Sequence, residues 1–350
     1  MPEAPRIVTM KYALVSGLLA AISAGGVDAS PHKHRHLDVY SHRGGMGLRT
    51  ESSLWSFAYG LETGADYLEM DIVFTKDGIP VVWHDHSIDG DKCTGEFVGQ
   101  FVVDLSLAEI KTLNCNKQLT KIHPQQEVHA DTKIQTLEEV LDLIDCYGDK
   151  KVRLNIETKL RPTTPNETWP PEKYIDDIIP ILERRGYASR SIIQSFDWRT
   201  LIGIHKRWPK IPISALLDQG NSKPADDGTY PWLGGVNLDD FDGDWVAAAK
   251  SIGNSVLSAS HGGPKGYTVN TPGYEPWTTK EVVDRAHKLG MTFVSGTLDD
   301  EVTMEKLIND GVDGIITNYP QRLMWVAGDM GVSTGHRRNR HRPECLPKEE

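Results

Sequence analysis

Four short clusters carry the residue types that handle a phosphate ester. In Ser41-His42-Arg43-Gly44-Gly45 an imidazole that exchanges protons near neutral pH stands beside a guanidinium whose planar fork matches two phosphate oxygens, and the glycines let a ligand approach the backbone. Glu51 follows nine residues after His42. The run 67–74 reads as a strand, and alternation along it puts Glu69 and Asp71 on one face with Leu68 and Met70 on the other. Two carboxylates on one inward face repel each other unless a proton or cation lies between them, so a hard divalent metal is the economical reading. Trp83-His84-Asp85-His86 adds a second imidazole, so that one of His42 and His84 could act as general base and the other as general acid. His86 reads as a polar loop residue; zinc held by His84 and His86 is the weaker alternative, because the nearby carboxylates favour oxygen-binding metals. In Asn155-Ile156-Glu157-Thr158-Lys159, residues 155, 157 and 159 share a face, offering a third carboxylate to the metal and a cation to a phosphate oxygen. Each cluster alone has a plain structural reading as a turn, an edge strand or a buried Glu–Lys pair. Four clusters at successive strand ends would have to meet that coincidence four times.

The elements that position these clusters alternate. Strand-like runs at 37–41, 67–74, 80–84, 152–158, 191–196, 211–216, 254–258 and 291–295 are interleaved with helical patterns at 54–63, 136–147, 174–185, 198–208, 278–289 and 300–310. Alternation of this kind predicts a parallel sheet, and eight strands predict a single (β/α)8 TIM barrel over 37–330, with the functional groups at the C-terminal ends of the strands. The apolar run 312–317 is one more than eight strands need. Thr136 ahead of Glu138 and Glu139 marks a helix start, and Gly290 and Gly311 mark helix ends. Residues 85–135 and 217–250 are long irregular excursions, which in a compact domain serve as covers or small subdomains.

The chain has 350 residues, a length one barrel fills, and carries a net charge of −11. That sign argues against a nucleic-acid-binding protein, and a phosphorylated substrate has to be captured by a metal and a few local cations. No apolar run reaches the roughly 18 to 20 residues of a membrane span. Lys11, the apolar stretch 12–24 and the small residues up to Ala29 read as a signal peptide over 1–29, with Met10 as an alternative start, followed by a short His-rich segment at 30–36. A secreted or extracytoplasmic protein is therefore expected. Cys93, Cys115, Cys146 and Cys345 allow three complete pairings, and Cys93 with Cys115 is the preferred bridge because both lie in one excursion. Asn166-Glu167-Thr168 fits an N-glycan acceptor at Asn166. The basic stretch 331–350 is expected to be a disordered tail, with anchoring to an anionic surface as its sharper alternative.

Taken together, the residues resemble the glycerophosphodiester phosphodiesterase family. The likeness lies in His42-Arg43-Gly44 with Glu51, Glu69-x-Asp71, His84-Asp85, Glu157-x-Lys159 and the late Gly311-Val312-Asp313-Gly314-Ile315-Ile316-Thr317-Asn318-Tyr319-Pro320, with a looser similarity from about 38 to 325. The resemblance implies a TIM barrel that uses a divalent cation, Mg2+ or Ca2+, to cleave glycerophosphodiesters into glycerol 3-phosphate and an alcohol. It implies His42 and His84 as the acid–base pair, Glu69, Asp71 and Glu157 as metal ligands, Arg43 and Lys159 as phosphate holders, and Glu51 at the metal or orienting its surroundings. Two positions depart from the family: Ser52, where Asn is usual, and Gly296-Thr297-Leu298-Asp299, where Trp-Thr-Val-Asn is usual. The missing aromatic wall bears on substrate choice. A lysolipid substrate, a phosphoinositide-type phospholipase and a catalytically silent phosphate-binding barrel are the rival readings.

Overall fold

The computed structural model describes residues 35–348 apart from Thr120 and Arg337. The expected signal peptide and nearly all of the His-rich segment lie outside the described residues. Eight parallel strands close on themselves: β1 (His36–Ser41), β2 (Tyr67–Phe74), β3 (Arg153–Thr158), β4 (Ser191–Ser195), β5 (Ile213–Leu217), β6 (Val256–Ala259), β7 (Thr292–Gly296) and β8 (Gly314–Thr317). Each pairs with the next, and β8 returns to β1 with Ser41 beside Thr317.

Eight helices alternate with them: α1 (Leu54–Thr63), α2 (Leu137–Tyr147), α3 (Pro171–Arg185), α4 (Trp198–Arg207), α5 (Trp245–Ser251), α6 (Lys280–Lys288), α7 (Glu301–Asp310) and α8 (Pro320–Asp329). Their ends follow local chemistry. Thr136 caps α2 by accepting from the Glu139 amide while Glu139 reaches back to the Thr136 amide, and Gly311 closes α7 in the left-handed region. The strands bury apolar residues outward against the helices, as Leu68, Met70 and Ile72 do on β2, which leaves the alternate polar residues for the barrel interior.

The architecture agrees with the expected barrel, but its strand count was reached with the wrong member. Residues 80–84 do not supply a barrel strand. Pro80–Val82 runs antiparallel to the far end of β2, with Val73 opposite Val81, and carries the chain into the first excursion. Only five residues connect the two runs there, which suits a hairpin and is too few for the crossover that parallel strands require. The eighth barrel strand is the later apolar run, Gly314–Thr317.

The first excursion has its own small core, in which Val81, Trp83, Ile88, Val102, Ile110 and Leu113 are buried, and the Cys93–Cys115 bridge lies within it. The expectation of a disordered tail is overturned for its described residues. Ser333 and Thr334 pair with His36 and Leu37 of β1, the Gly335 amide donates to Asp66, and Asn339 and His336 bind Asp149. Cys345 is bonded to Cys146 on α2. The barrel floor presents buried carboxylates at Asp66 and Asp149, and the tail adds partners to both.

Candidate active site

The register of β2, β3 and β4 sets three polar side chains in one row at the mouth: Asp71 lies opposite Glu157, and Glu157 opposite Gln194. One step deeper, Glu69 lies opposite Asn155. Glu69, Asp71 and Glu157 are all buried, and each offers a carboxylate oxygen within 4.8 Å of the others.

Glu69 is partly satisfied, since Gln194 Nε2 donates to Oε1 at 2.8 Å and the Arg43 amide donates to Oε2 at 2.9 Å. Asp71 is not. Neither of its oxygens accepts a hydrogen bond, and its nearest cations are Arg43 Nε at 3.4 Å and Lys159 Nζ at 3.5 Å. The carbonyl oxygens of the Asn155 and Gln194 side chains are also buried without a donor. A buried carboxylate with no partner is costly, and a ring of unsatisfied oxygens is what a hard divalent cation fills. The residues present therefore fit such an ion.

The electrostatics agree. Burial, reinforced by the neighbouring Asp71, pushes Glu69 well above the usual carboxylate range. Burial also lifts Glu157 to about 7, although Lys159, 2.8 Å away, opposes the rise. Asp71 is as deeply buried but is drawn below the usual range by Lys159, His84 and Arg43.

Arg43 is placed by strain and by anions. It follows His42 at the end of β1 with φ at 49°, a left-handed conformation costing a non-glycine residue on the order of 1 kcal/mol or more. Its amide is held by Glu69, its carbonyl by the Ser52 amide at 3.0 Å, and its guanidinium is tied to Glu51 and leans toward Asp71. Ser52 is left-handed too, with φ at 56°. Asn tolerates that region better than Ser, which gives a physical reason for the Asn that the resemblance led one to expect there.

Glu51 is not part of the carboxylate trio. It is clasped by Arg43 and by Lys92 Nζ at 2.8 Å, and these cations outweigh burial to bring it down to about 2. Lys92 also reaches Asp85 at 2.5 Å, and Asp85 in turn accepts from His84 Nδ1 at 2.8 Å. A continuous chain of charges thus runs from Arg43 through Glu51, Lys92 and Asp85 to His84.

His42 stands 3.9 Å from Glu69 and uses Nδ1 to meet Asn318 Oδ1 at 2.5 Å. Burial, helped by Arg43, lowers His42 to about 4, and burial with Lys159 and Arg43 takes His84 well below 6.5. Burial thus disfavours the protonated form of both rings. The seven residues expected at the site are brought together, with Glu51 at its edge. Reading residues by cluster missed Lys92, Gln194 and Asp299; the charge of Lys92 seven residues beyond Asp85 was the available signal.

Two cavities flank the trio. One, about 620 Å³, reaches His42, Arg43, Gln219, His261, Lys265 and Asn318. The other, about 660 Å³, lies under the first excursion and the loop holding Trp232. Gly296 and Thr297 line the first cavity, and a Cβ on Gly296 would meet Ile316 backbone and side chain at 2.5 to 3.3 Å, so no aromatic wall stands there.

Comparisons with known proteins give the same direction. The chain is 28% identical to a glycerophosphodiester phosphodiesterase of Bacillus subtilis (strain 168), over 90% of this chain and 94% of that protein. A crystal structure from Silicibacter pomeroyi DSS-3, provisionally assigned as a glycerophosphoryl diester phosphodiesterase, superposes with a TM-score of 0.72 at 26% identity, covering 85% of this chain and 95% of the other. An Oleispira antarctica phosphodiesterase solved with its product sn-glycerol-3-phosphate shares the fold, with a TM-score of 0.61 at 21% identity over 83% and 96% of the two chains. The model of the glycerophosphoryl diester phosphodiesterase family matches residues 42–322, from the first histidine of the site to α8, and the chain belongs to that family.

Proposed function

We propose that the protein hydrolyses glycerophosphodiesters to glycerol 3-phosphate and an alcohol, with a divalent cation held by Glu69, Asp71 and Glu157 and with His42 and His84 as the acid–base pair. The observation that carries this reading is Asp71, a carboxylate buried without a hydrogen bond whose nearest cations are Arg43 Nε at 3.4 Å and Lys159 Nζ at 3.5 Å. A bound Mg2+ or Ca2+ would draw negative charge from the phosphoryl oxygens.

Arg43 and Lys159 both reach toward Asp71, where each can hold a phosphate oxygen. The two rings divide the proton work. One takes the proton of the attacking hydroxyl and the other gives a proton to the departing alkoxide, which requires one neutral and one protonated imidazole in the loaded site and a bell-shaped dependence of turnover on pH. Asp85 and Asn318 each engage an Nδ1, so both Nε2 atoms are free for this exchange. A mere phosphate binder has no use for two oriented imidazoles.

A lysolipid is the second reading. Ile122 is 69% exposed at the rim of the first cavity, near Met46, where an acyl chain would find apolar contact. Export is proposed as well, supported by two disulfides and by Asn166, exposed on the single turn Pro165–Glu167.

The test is hydrolysis of glycerophosphocholine and glycerophosphoinositol by the purified protein, with chelator or added divalent ions, beside His42→Ala and His84→Ala. Metal-dependent release of glycerol 3-phosphate that both variants abolish supports the reading. Lack of turnover of either soluble diester by folded, metal-bound protein moves it to lysolipids.

A further inference from the structure

We infer that the cavity beneath the first excursion seats the leaving alcohol, and that its chemistry selects a quaternary ammonium alcohol of the choline type. This rests on the phosphodiesterase reading above. A phosphodiester carries two alcohol arms on one phosphorus, and the site has one cavity for each. His84, Glu157, Lys159 and Phe196 line both, so a phosphoryl group held at that shared wall sends one arm to either side.

The two cavities differ in what they can recognise. The one beside His42 offers Gln219, Ser260, His261, Lys265 and Asn318, a set of donors and acceptors suited to the hydroxyls of glycerol. The other is walled by Phe101, Phe196 and Trp232, with Ile88 and Leu160 behind them.

Its charged groups are mostly spoken for. Asp85 is taken by Lys92, Glu157 by Lys159, and Arg161 and Glu167 by each other at 3.3 Å. Asp89 is the exception. Among the described residues it meets no cation, and its carboxylate accepts only the Asp91 amide at 2.8 Å. One uncompensated negative charge beside three aromatic rings attracts a cation whose surface is apolar, which is the description of a trimethylammonium group. Ser87 and His86 also line the cavity and can meet a hydroxyl of inositol or glycerol, but neither alcohol carries the charge that matches the rings and Asp89.

The experiment compares kcat/KM of the full chain, supplied with its divalent cation, for glycerophosphocholine, glycerophosphoinositol and glycerophosphoglycerol, and repeats it with Asp89→Asn and Trp232→Leu. The expected result is a preference for the choline diester, with the choline-to-glycerol ratio of kcat/KM falling roughly fivefold to tenfold in each variant. Equal efficiency on all three diesters, or an unchanged ratio in both variants, overturns the inference and leaves the phosphodiesterase reading standing. No turnover of any of the three overturns the inference and moves the underlying reading to lysolipids.

Discussion

His42 and Asn318 meet across the seam where β8 closes on β1, with Nδ1 and Oδ1 2.5 Å apart. The Asn318 amide cannot turn round. Its Nδ2 donates to Asp299 Oδ2 at 2.7 Å, and its backbone amide donates to Oδ1 of the same residue at 3.0 Å. The oxygen must therefore face His42, which places the proton on Nδ1 and the lone pair on Nε2. Asp299→Ala is expected to lower kcat by roughly 10-fold to 100-fold while KM changes little, because the base loses its orientation and the substrate contacts remain. Steady-state kinetics check this. Because burial and Arg43 hold His42 near 4, the ring is neutral above that value, and the acid limb of kcat/KM is expected below pH 6.5.

Metal binding should release protons. Burial pushes Glu69 above the usual carboxylate range and Glu157 to about 7 in the free protein, so a cation competes with protons for these oxygens. Titration calorimetry of Mg2+ or Ca2+ in buffers of different ionisation enthalpy is expected to show net proton release on binding. Glu157→Gln should weaken binding by roughly 10-fold or more and reduce the proton count; unchanged affinity removes Glu157 from the ligand set.

Lys92 should matter out of proportion to its distance from the phosphorus. It neutralises Asp85, which then orients His84 without a net charge beside it, and it completes the clasp on Glu51. Lys92→Met is expected to cost roughly 10-fold to 100-fold in kcat, with Lys92→Arg restoring most of it. A loss in KM alone would show that the lysine acts on substrate binding instead.

What the sequence made legible was the chemistry that sits inside regular strands. Alternation alone put Glu69 and Asp71 on one face and Glu157 with Lys159 on another, and the barrel register did the rest. His84 was found for its type, although the strand taken to carry it is an antiparallel add-on. Gln194 and Asp299 were harder to see, because each acts through a partner distant in sequence and no local pattern encodes that pairing, whereas Lys92 left the fainter trace of a charge seven residues beyond Asp85. The tail misled for the same reason. Its basic, low-complexity composition reads as disorder until the carboxylates of the barrel floor are known.

Those floor contacts predict an acid-sensitive tail. Burial raises Asp149, but His336, Asn339 and the Lys151 and Val152 amides more than offset this and hold it below the usual carboxylate range. A depressed folded-state value contributes stability above the unfolded value of 3.8 and loses it as pH falls toward the folded one. Asp149→Ala is expected to cost about 1 to 2 kcal/mol at pH 7 and progressively less below pH 4, measured by thermal unfolding.

Reduction of Cys146–Cys345 should act on the same region. The bridge closes 199 residues of chain, and losing it is expected to cost about 2 to 5 kcal/mol while activity per folded molecule is kept. Comparing Cys345→Ser with the parent by denaturation and by kcat separates the two effects.

The antiparallel strand that leaves β2 for the first excursion also fixes the unit in which this enzyme can vary. One imidazole and the lysine that serves it ride on the excursion, together with Asp89 and Phe101, while the other imidazole and all three carboxylates belong to the closed barrel. If the proposed roles hold, grafting the excursion from a relative is expected to carry alcohol preference and half of the proton-transfer machinery in a single exchange, and to leave the cation site of the host untouched.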